Sequence, residues 1–296
     1  MNAEVPARDT CCLCALHRRR LFGRLLMAGG AAALVGPARA QEGLKGEVGG
    51  PSRIARLVPA EQVEGAAAQQ YGQLLQQYAS QRALGPADHP QVLRLRSIAK
   101  RIIPFTAPWN PRATQWHWEV NLLASKELNA FCMPGGKIAF FYGILKTLQL
   151  SDDEVATIMG HETAHALREH SRKRLAEQTA TRGVIELGSA LLGLGQLGRT
   201  VAGAGGQLLT LKFSRDDETE ADLVGMELAA RAGYDPAAGV SLWQKMLAAN
   251  KGAPPQWMST HPAGDTRIRD IQAKLPKVQP LFERAPRPTQ RWGPPA

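Results

Sequence analysis

Ser151-Asp152-Asp153-Glu154-Val155-Ala156-Thr157-Ile158-Met159-Gly160-His161-Glu162-Thr163-Ala164-His165 is the stretch on which the reading of this chain turns. Ser151 with Glu154 three residues later forms a capping box that opens a helix. Residues four apart on a helix are rotated by about 40° and displaced by about 6 Å along its axis, so His161 and His165 project from one face. Two imidazole nitrogens placed this way reach one zinc ion at about 2.0–2.1 Å without bending the backbone. Glu162 lies about 100° further round, off the line of the histidines but within reach of a water on that ion. Val155, Met159 and Ala166 share a narrow apolar sector with Glu162 at its edge. A carboxylate turned toward apolar packing is costly unless a cationic or hydrogen-bonding partner meets it, and a metal-bound water would do so. The plainer reading is two surface histidines on an ordinary helix.

Away from this helix the period changes. Trp116 to Leu122 alternates as a strand does, and Phe131 to Met133, Pro134-Gly135-Gly136 and Lys137 to Phe141 read as strand, turn, strand. Glu61 to Gln81 reads as a helix, and a second helix follows His89-Pro90 with Val92, Leu93, Leu95, Ile98 and Ile102 apolar, ending at Pro104. Further helices are expected from about Arg172 to Leu192, Ser214 to Ala232, Pro236 to Asn250 and Asp265 to Leu275. Gly193 to Gly206 is Gly-rich and almost uncharged, readable as a mobile lid, a membrane-grazing segment or a simple connector. The expected fold class is α+β and predominantly helical, with a small β-sheet packed beside the helix that bears the histidines.

Two histidines leave zinc short of a protein ligand. Arg168 and Ser171 stand where a metzincin would continue with Gly and His, which excludes that subclass. Glu186 has a thermolysin-like spacing, but Ala190 stands where an aspartate one turn later would be wanted. Glu218-Thr219-Glu220-Ala221-Asp222 is the better source. Glu218 and Asp222 share a helix face, so Glu218 can bind zinc while Asp222 accepts the second N–H of a ligating histidine and fixes its tautomer. Glu220 points the other way and is expected in solvent. His261, in a His-Pro pair, can stabilise an oxyanion, sit on zinc as a fourth ligand in a resting, inhibited state, or be an ordinary loop histidine.

With Leu128-Asn129-Ala130-Phe131, Pro134-Gly135-Gly136, His161-Glu162-Thr163-Ala164-His165, Ser214-Arg215, Glu218-Thr219-Glu220-Ala221-Asp222, Gly233-Tyr234-Asp235-Pro236 and Thr260-His261-Pro262 in order, the chain resembles a known zinc metallopeptidase family. That family includes the CAAX prenyl proteases, HtpX-like proteases, and the periplasmic BepA-like and mitochondrial OMA-type proteases; the resemblance runs from about residue 90 to 275 and is nearest to the soluble BepA-like branch. It implies a zincin-like (gluzincin) fold, one zinc per chain, His161, His165 and Glu218 as metal ligands, Asp222 as the residue supporting them, and Glu162 as general base. The chain departs from the membrane-embedded members in lacking long transmembrane spans, which argues against prenylated substrates, and from the BepA-like members in lacking a C-terminal repeat domain.

The ends read differently from residues 58–276, the expected metallopeptidase domain. Arg18-Arg19-Arg20, an apolar run from Leu21 to Val35 and Ala38-Arg39-Ala40 have the three parts of a signal peptide covering residues 1–40, with a twin-arginine flavour and cleavage after about Ala40. Residues 41–57 read as a linker, and 277–296, with Pro280, Pro286, Pro288, Pro294 and Pro295, as a disordered tail. Of the 4 cysteines, Cys11, Cys12 and Cys14 fall in the leader, so Cys132 alone would remain and no intrachain disulfide is expected. The formal net charge of +10 is spread along the chain without a basic helix or interleaved aromatics, which argues against nucleic acid as a partner.

The expected activity is therefore zinc-dependent endopeptidase chemistry in the bacterial periplasm, with no stable membrane anchor after processing. Unfolded or misassembled envelope proteins are the expected substrates; Phe131-Cys132 with Lys137 to Phe141 can take up an extended substrate as an added strand, or equally be core strands with no substrate role. The alternative is a zinc-holding periplasmic chaperone or assembly factor in which His261 suppresses proteolysis.

Overall fold

Two helices, α1 (Ala60–Ser80) and α2 (Pro90–Ile102), precede a sheet of β1 (Glu119–Leu123), β2 (Ala130–Met133) and β3 (Lys137–Phe141). Among the described residues seven helices follow: α3 (Tyr142–Thr147), α4 (Asp152–Leu167), α5 (His170–Leu191), α6 (Arg215–Arg231), α7 (Ala238–Ala249), α8 (Gln256–Thr260) and α9 (Asp265–Arg284). The computed structural model describes residues 43–191, 208–209, 211–249, 256–261 and 265–296. The leader-like residues 1–40 and the Gly193 to Gly206 stretch lie outside the described residues. The α+β, mainly helical class expected from the sequence is what the structure has.

β3 is the middle strand, parallel to β1 and antiparallel to β2, with Val120 opposite Ile138 and Cys132 opposite Ile138 from the other side. The turn between β2 and β3 needs left-handed backbone at two successive positions, and Gly135 (φ 84°) and Gly136 (φ 78°) supply it. Both faces of the sheet are covered, which is why β3 reads as an unbroken apolar run. Ile138 and Phe140 join the main core with α4, while Ala139 and Phe141 pack with Val63, Ala67 and Tyr71 of α1. The strand read from Trp116 begins only at Glu119, because Trp118 Nε1 donates to Ala113 O and ties that stretch to the preceding turn.

α4 is buried along almost its whole length. Ser151 Oγ accepts the Glu154 amide at 3.3 Å and Glu154 accepts the Ser151 amide at 2.8 Å, the expected capping box. A second box, Ser214 with Asp217, opens α6. α4 and α6 cross where Gly160 meets Gly225: a Cβ on Gly160 would lie 2.6 Å from the Gly225 carbonyl oxygen. The crossing brings the backbones together at the positions flanking His161 and Asp222.

Both terminal readings need correction. Residues 43–57 are not a free linker: Leu44 is fully buried in the core, its amide donates to Glu227 Oε2 at 2.6 Å, and Ile54–Leu57 forms a 3-10 turn. The Pro-rich tail is not disordered where it was expected to be. α9 continues through Pro276 and Pro280 to Arg284, because Ile271, Val278 and Leu281 form an apolar stripe against the core that outweighs the lost backbone bonds. Beyond it, the amides of Trp292 and Gly293 donate to Asp152 at the start of α4. No helix among the described residues is long and apolar enough to cross a membrane.

Candidate metal centre

The Gly160–Gly225 crossing sets the acids of α6 against the histidines of α4, and the end of α8 adds His261. His161, Glu162, His165, Glu218 and His261 are each only 2–3% exposed. His161 Nε2 is 3.1 Å from His165 Nε2, 3.6 Å from Glu218 Oε2 and 3.3 Å from His261 Nδ1, and His165 Nε2 is 3.4 Å from Glu218 Oε1. Four donors at about 2.0–2.1 Å around a tetrahedral zinc stand about 3.3–3.4 Å apart, so these spacings approach those of a zinc site, with His261 Nδ1 and Glu218 Oε1 closer at 2.9 Å. The charges fit too: Glu218 and Asp222 face the guanidinium of Arg267, Glu162 lies beside His261, and a divalent cation would balance the remaining negative charge.

The groups around the donors hold them in ligating form. His161 Nδ1 lies 3.0 Å from Asp222 Oδ1, so the carboxylate takes the Nδ1–H and leaves Nε2 as the donor atom. Burial, and then the neighbouring imidazoles and Arg267, push the His165 pKa far below the ordinary histidine range, keeping it neutral. For Glu218, burial acts to raise the pKa, but His261, His161 and Arg267 outweigh it and the net shift is downward. Burial likewise opposes charge on His261, yet Glu162 and Glu218 prevail and raise its pKa.

All six residues singled out from the sequence meet here, and His261 is in the cluster, so its reading as an ordinary loop histidine is set aside. One placement was wrong. Glu220 is not in solvent: it accepts from Arg168 Nε at 2.7 Å and lies 2.9 Å from His170 Nε2.

Two residues that hold the carboxylates of the site carry no sequence signal of their own. Arg267 of α9 donates to Glu218 Oε2 at 2.8 Å and to both Asp222 oxygens at 2.7 and 2.6 Å, with its guanidinium 3.9 Å from the Trp243 ring. Trp257 Nε1 donates to Glu162 Oε1 at 2.5 Å. The only signal for either was position, Trp257 just before and Arg267 just after the Thr260-His261-Pro262 motif.

A histidine pair on one buried helix, a carboxylate on a crossing helix and a glutamate beside them make a donor set of the kind that holds zinc in glutamate-liganded metallopeptidases. Comparison with known sequences agrees: the peptidase family M48 profile matches residues 91–275, and the chain belongs to that family. It is 37% identical to the mitochondrial metalloendopeptidase OMA1 of Schizosaccharomyces pombe over 197 residues, 66% of this chain and 56% of the relative. The Saccharomyces cerevisiae OMA1 is 30% identical over 70% of this chain and 62% of its own length. The beta-barrel assembly-enhancing protease of Escherichia coli is 27% identical over 63% of this chain and 39% of its own. The chain thus spans less than two thirds of the length of each of these relatives.

Proposed function

We propose that this chain is a zinc-dependent endopeptidase of the bacterial cell envelope, exported to the periplasm, that cleaves unfolded or misassembled proteins. The observation that carries the chemistry is Glu162, fixed by the Trp257 indole and set beside a donor set of zinc dimensions. His161, His165 and Glu218 would hold the zinc, which when bound would supply Lewis acidity to a water and to the scissile carbonyl. The Glu162 carboxylate accepts the proton of the attacking water and passes it to the departing amine. Asp222 and Arg267 keep His161 and Glu218 in place through the reaction. β2, the edge strand lining the same cavity, offers its backbone to an extended peptide.

The envelope assignment is supported by the signal-like residues 1–40 and by the likeness to the beta-barrel assembly-enhancing proteases. The test is Glu162→Gln. The variant should bind zinc as wild type does and hydrolyse casein at least about 100-fold more slowly. Expressed in cells, it should retain misassembled envelope proteins on pull-down. Casein cleavage at the wild-type rate defeats the mechanism, and retention of cytoplasmic proteins alone defeats the substrate class.

One observation favours the second reading, a centre at rest with proteolysis suppressed. The cavity over the donors, bounded by Leu208, Leu211, Phe213 and His261, measures about 40 Å³, which admits a water but not a peptide. On this reading His261 is a fourth donor and the centre rests inactive.

A further inference from the structure

His161 and His165 are backed in different ways. Behind His161 stands the carboxylate of Asp222, whereas behind His165 stands another histidine: His170 Nδ1 lies 2.9 Å from His165 Nδ1. His170 is 1% exposed, and its other nitrogen, Nε2, is 2.9 Å from Glu220 Oε2. The second oxygen of Glu220 accepts from Arg168 Nε, and Arg168 Nη2 donates on to the Gly49 carbonyl at 2.5 Å. The contact is built by the backbone. Five residues along an unbroken helix, His170 would face about 140° away from His165. Instead α4 ends, Glu169 takes a left-handed conformation (φ 58°) unusual for a residue with a Cβ, and the turn brings the first residue of α5 back beneath His165.

Proton accounting gives this row a direction. Glu220, held by Arg168, accepts, so His170 carries its proton on Nε2 and presents a bare Nδ1. Two facing Nδ1 atoms at 2.9 Å share one proton, so His165 must supply it. That leaves the lone pair of His165 Nε2 turned toward His161, Glu218 and His261. We propose that His170 and Glu220 are positioning residues for zinc: the row Arg168, Glu220, His170, His165 sets the tautomer and aim of His165, as Asp222 does for His161. All three acids of Glu218-Thr219-Glu220-Ala221-Asp222 then serve one ion, one directly and two through the histidines. The inference rests on the zinc-site reading given above.

The nearby trio His170, Asp217 and Glu220 has the spacing of a second cation site. However, Lys173 and Arg168 already pair with its two carboxylates, so the geometry favours a relay over a second metal.

The experiment is zinc affinity by chelator competition on the full chain, with casein hydrolysis measured alongside. His170→Phe keeps the ring and removes the acceptor, and should weaken zinc binding about 10- to 100-fold. His170→Asn restores an acceptor at the same distance from the backbone and should recover most of that loss. Glu220→Gln, whose amide can donate to His170 and reverse its tautomer, should weaken zinc binding as His170→Phe does. In zinc-free wild type, imidazole ¹⁵N spectra should show His165 protonated on Nδ1 and His170 on Nε2, a readout that needs no variant to fold. Affinities within twofold of wild type for both His170→Phe and Glu220→Gln, equal losses in His170→Phe and His170→Asn, or the opposite tautomers would each overturn the relay. A wild-type chain that takes up no zinc would overturn the metal site itself, and the relay with it.

Discussion

Gly160 and Gly225 touch backbone to backbone, and this contact lets two charged helices share a metal site. A Cβ on Gly225 would lie 2.6 Å from the amide nitrogen of His161, the first of the paired histidines. On an isolated helix Gly225→Ala would gain about 1 kcal/mol from propensity. Here the added methyl meets backbone that cannot swing aside, an overpacking cost of about 1–3 kcal/mol or more. We expect Gly225→Ala to lower the melting temperature and weaken zinc binding, because separating α4 from α6 moves Glu218 and Asp222 away from His161. Differential scanning fluorimetry and metal analysis check both, and an unchanged melting temperature with full zinc would refute the account.

Arg267 is the buried cation that makes Glu218 and Asp222 tolerable side by side. Removing it as Arg267→Met leaves two buried carboxylates without their partner, a loss of about 3–5 kcal/mol for a broken buried pair. Zinc can offset part of that, since it binds the same carboxylate cluster. The expected outcome is a large drop in melting temperature for the zinc-free variant and a smaller one for the zinc-loaded variant. Equal drops with and without zinc would mean that Arg267 acts only through packing on Trp243.

How much of this was legible in the sequence follows from the range of each interaction. His161, Glu162 and His165 were readable because helical geometry alone places them. The same holds for Glu218 with Asp222, one turn apart. Across the α4–α6 crossing, spacing carries no information, so Glu220 was misplaced in solvent and His170 was passed over: their contact depends on the left-handed Glu169. Arg267 lies 49 and 45 residues from its partners Glu218 and Asp222, and Trp257 lies 95 from Glu162; a lone arginine or tryptophan carries no period. Prolines at 276 and 280 signalled disorder by composition, while the apolar stripe that holds α9 together was the stronger force.

In the zinc-free protein, stability should peak near pH 6.5. Asp217, Glu218, Glu220 and Asp222 all have folded pKa values below their ordinary ones, so the stability they contribute is present above about pH 4.5 and lost as pH falls through the folded values. His165, also shifted down, adds an acid limb that begins near 6.5, because the unfolded imidazole takes up a proton that the folded one refuses. His261 is shifted up, so its contribution is complete below 6.5 and fades as pH rises through its folded pKa. Melting temperatures of metal-stripped protein from pH 4 to 9 test the shape. A monotonic rise across that range would contradict the His261 assignment.

His261→Ala separates the two roles open to that residue. Its Nδ1 stands 2.9 Å from Glu218 Oε1 and 3.3 Å from His161 Nε2, among the donors, while its Nε2 is 3.5 Å from Glu162 Oε1. On the resting-state reading, a group lodged among the three proposed ligands would occupy the position a water or a substrate carbonyl needs and so would block the reaction. The expected result is several-fold faster casein hydrolysis, together with a modest loss of zinc affinity as one of four donors disappears. Loss of hydrolysis with zinc fully retained would instead make His261 the group that stabilises the tetrahedral oxyanion, swinging into place only when substrate has displaced it from Glu218. The measurement should be repeated in the Glu162→Gln background, where any residual gain would come from a contaminating protease and not from this centre.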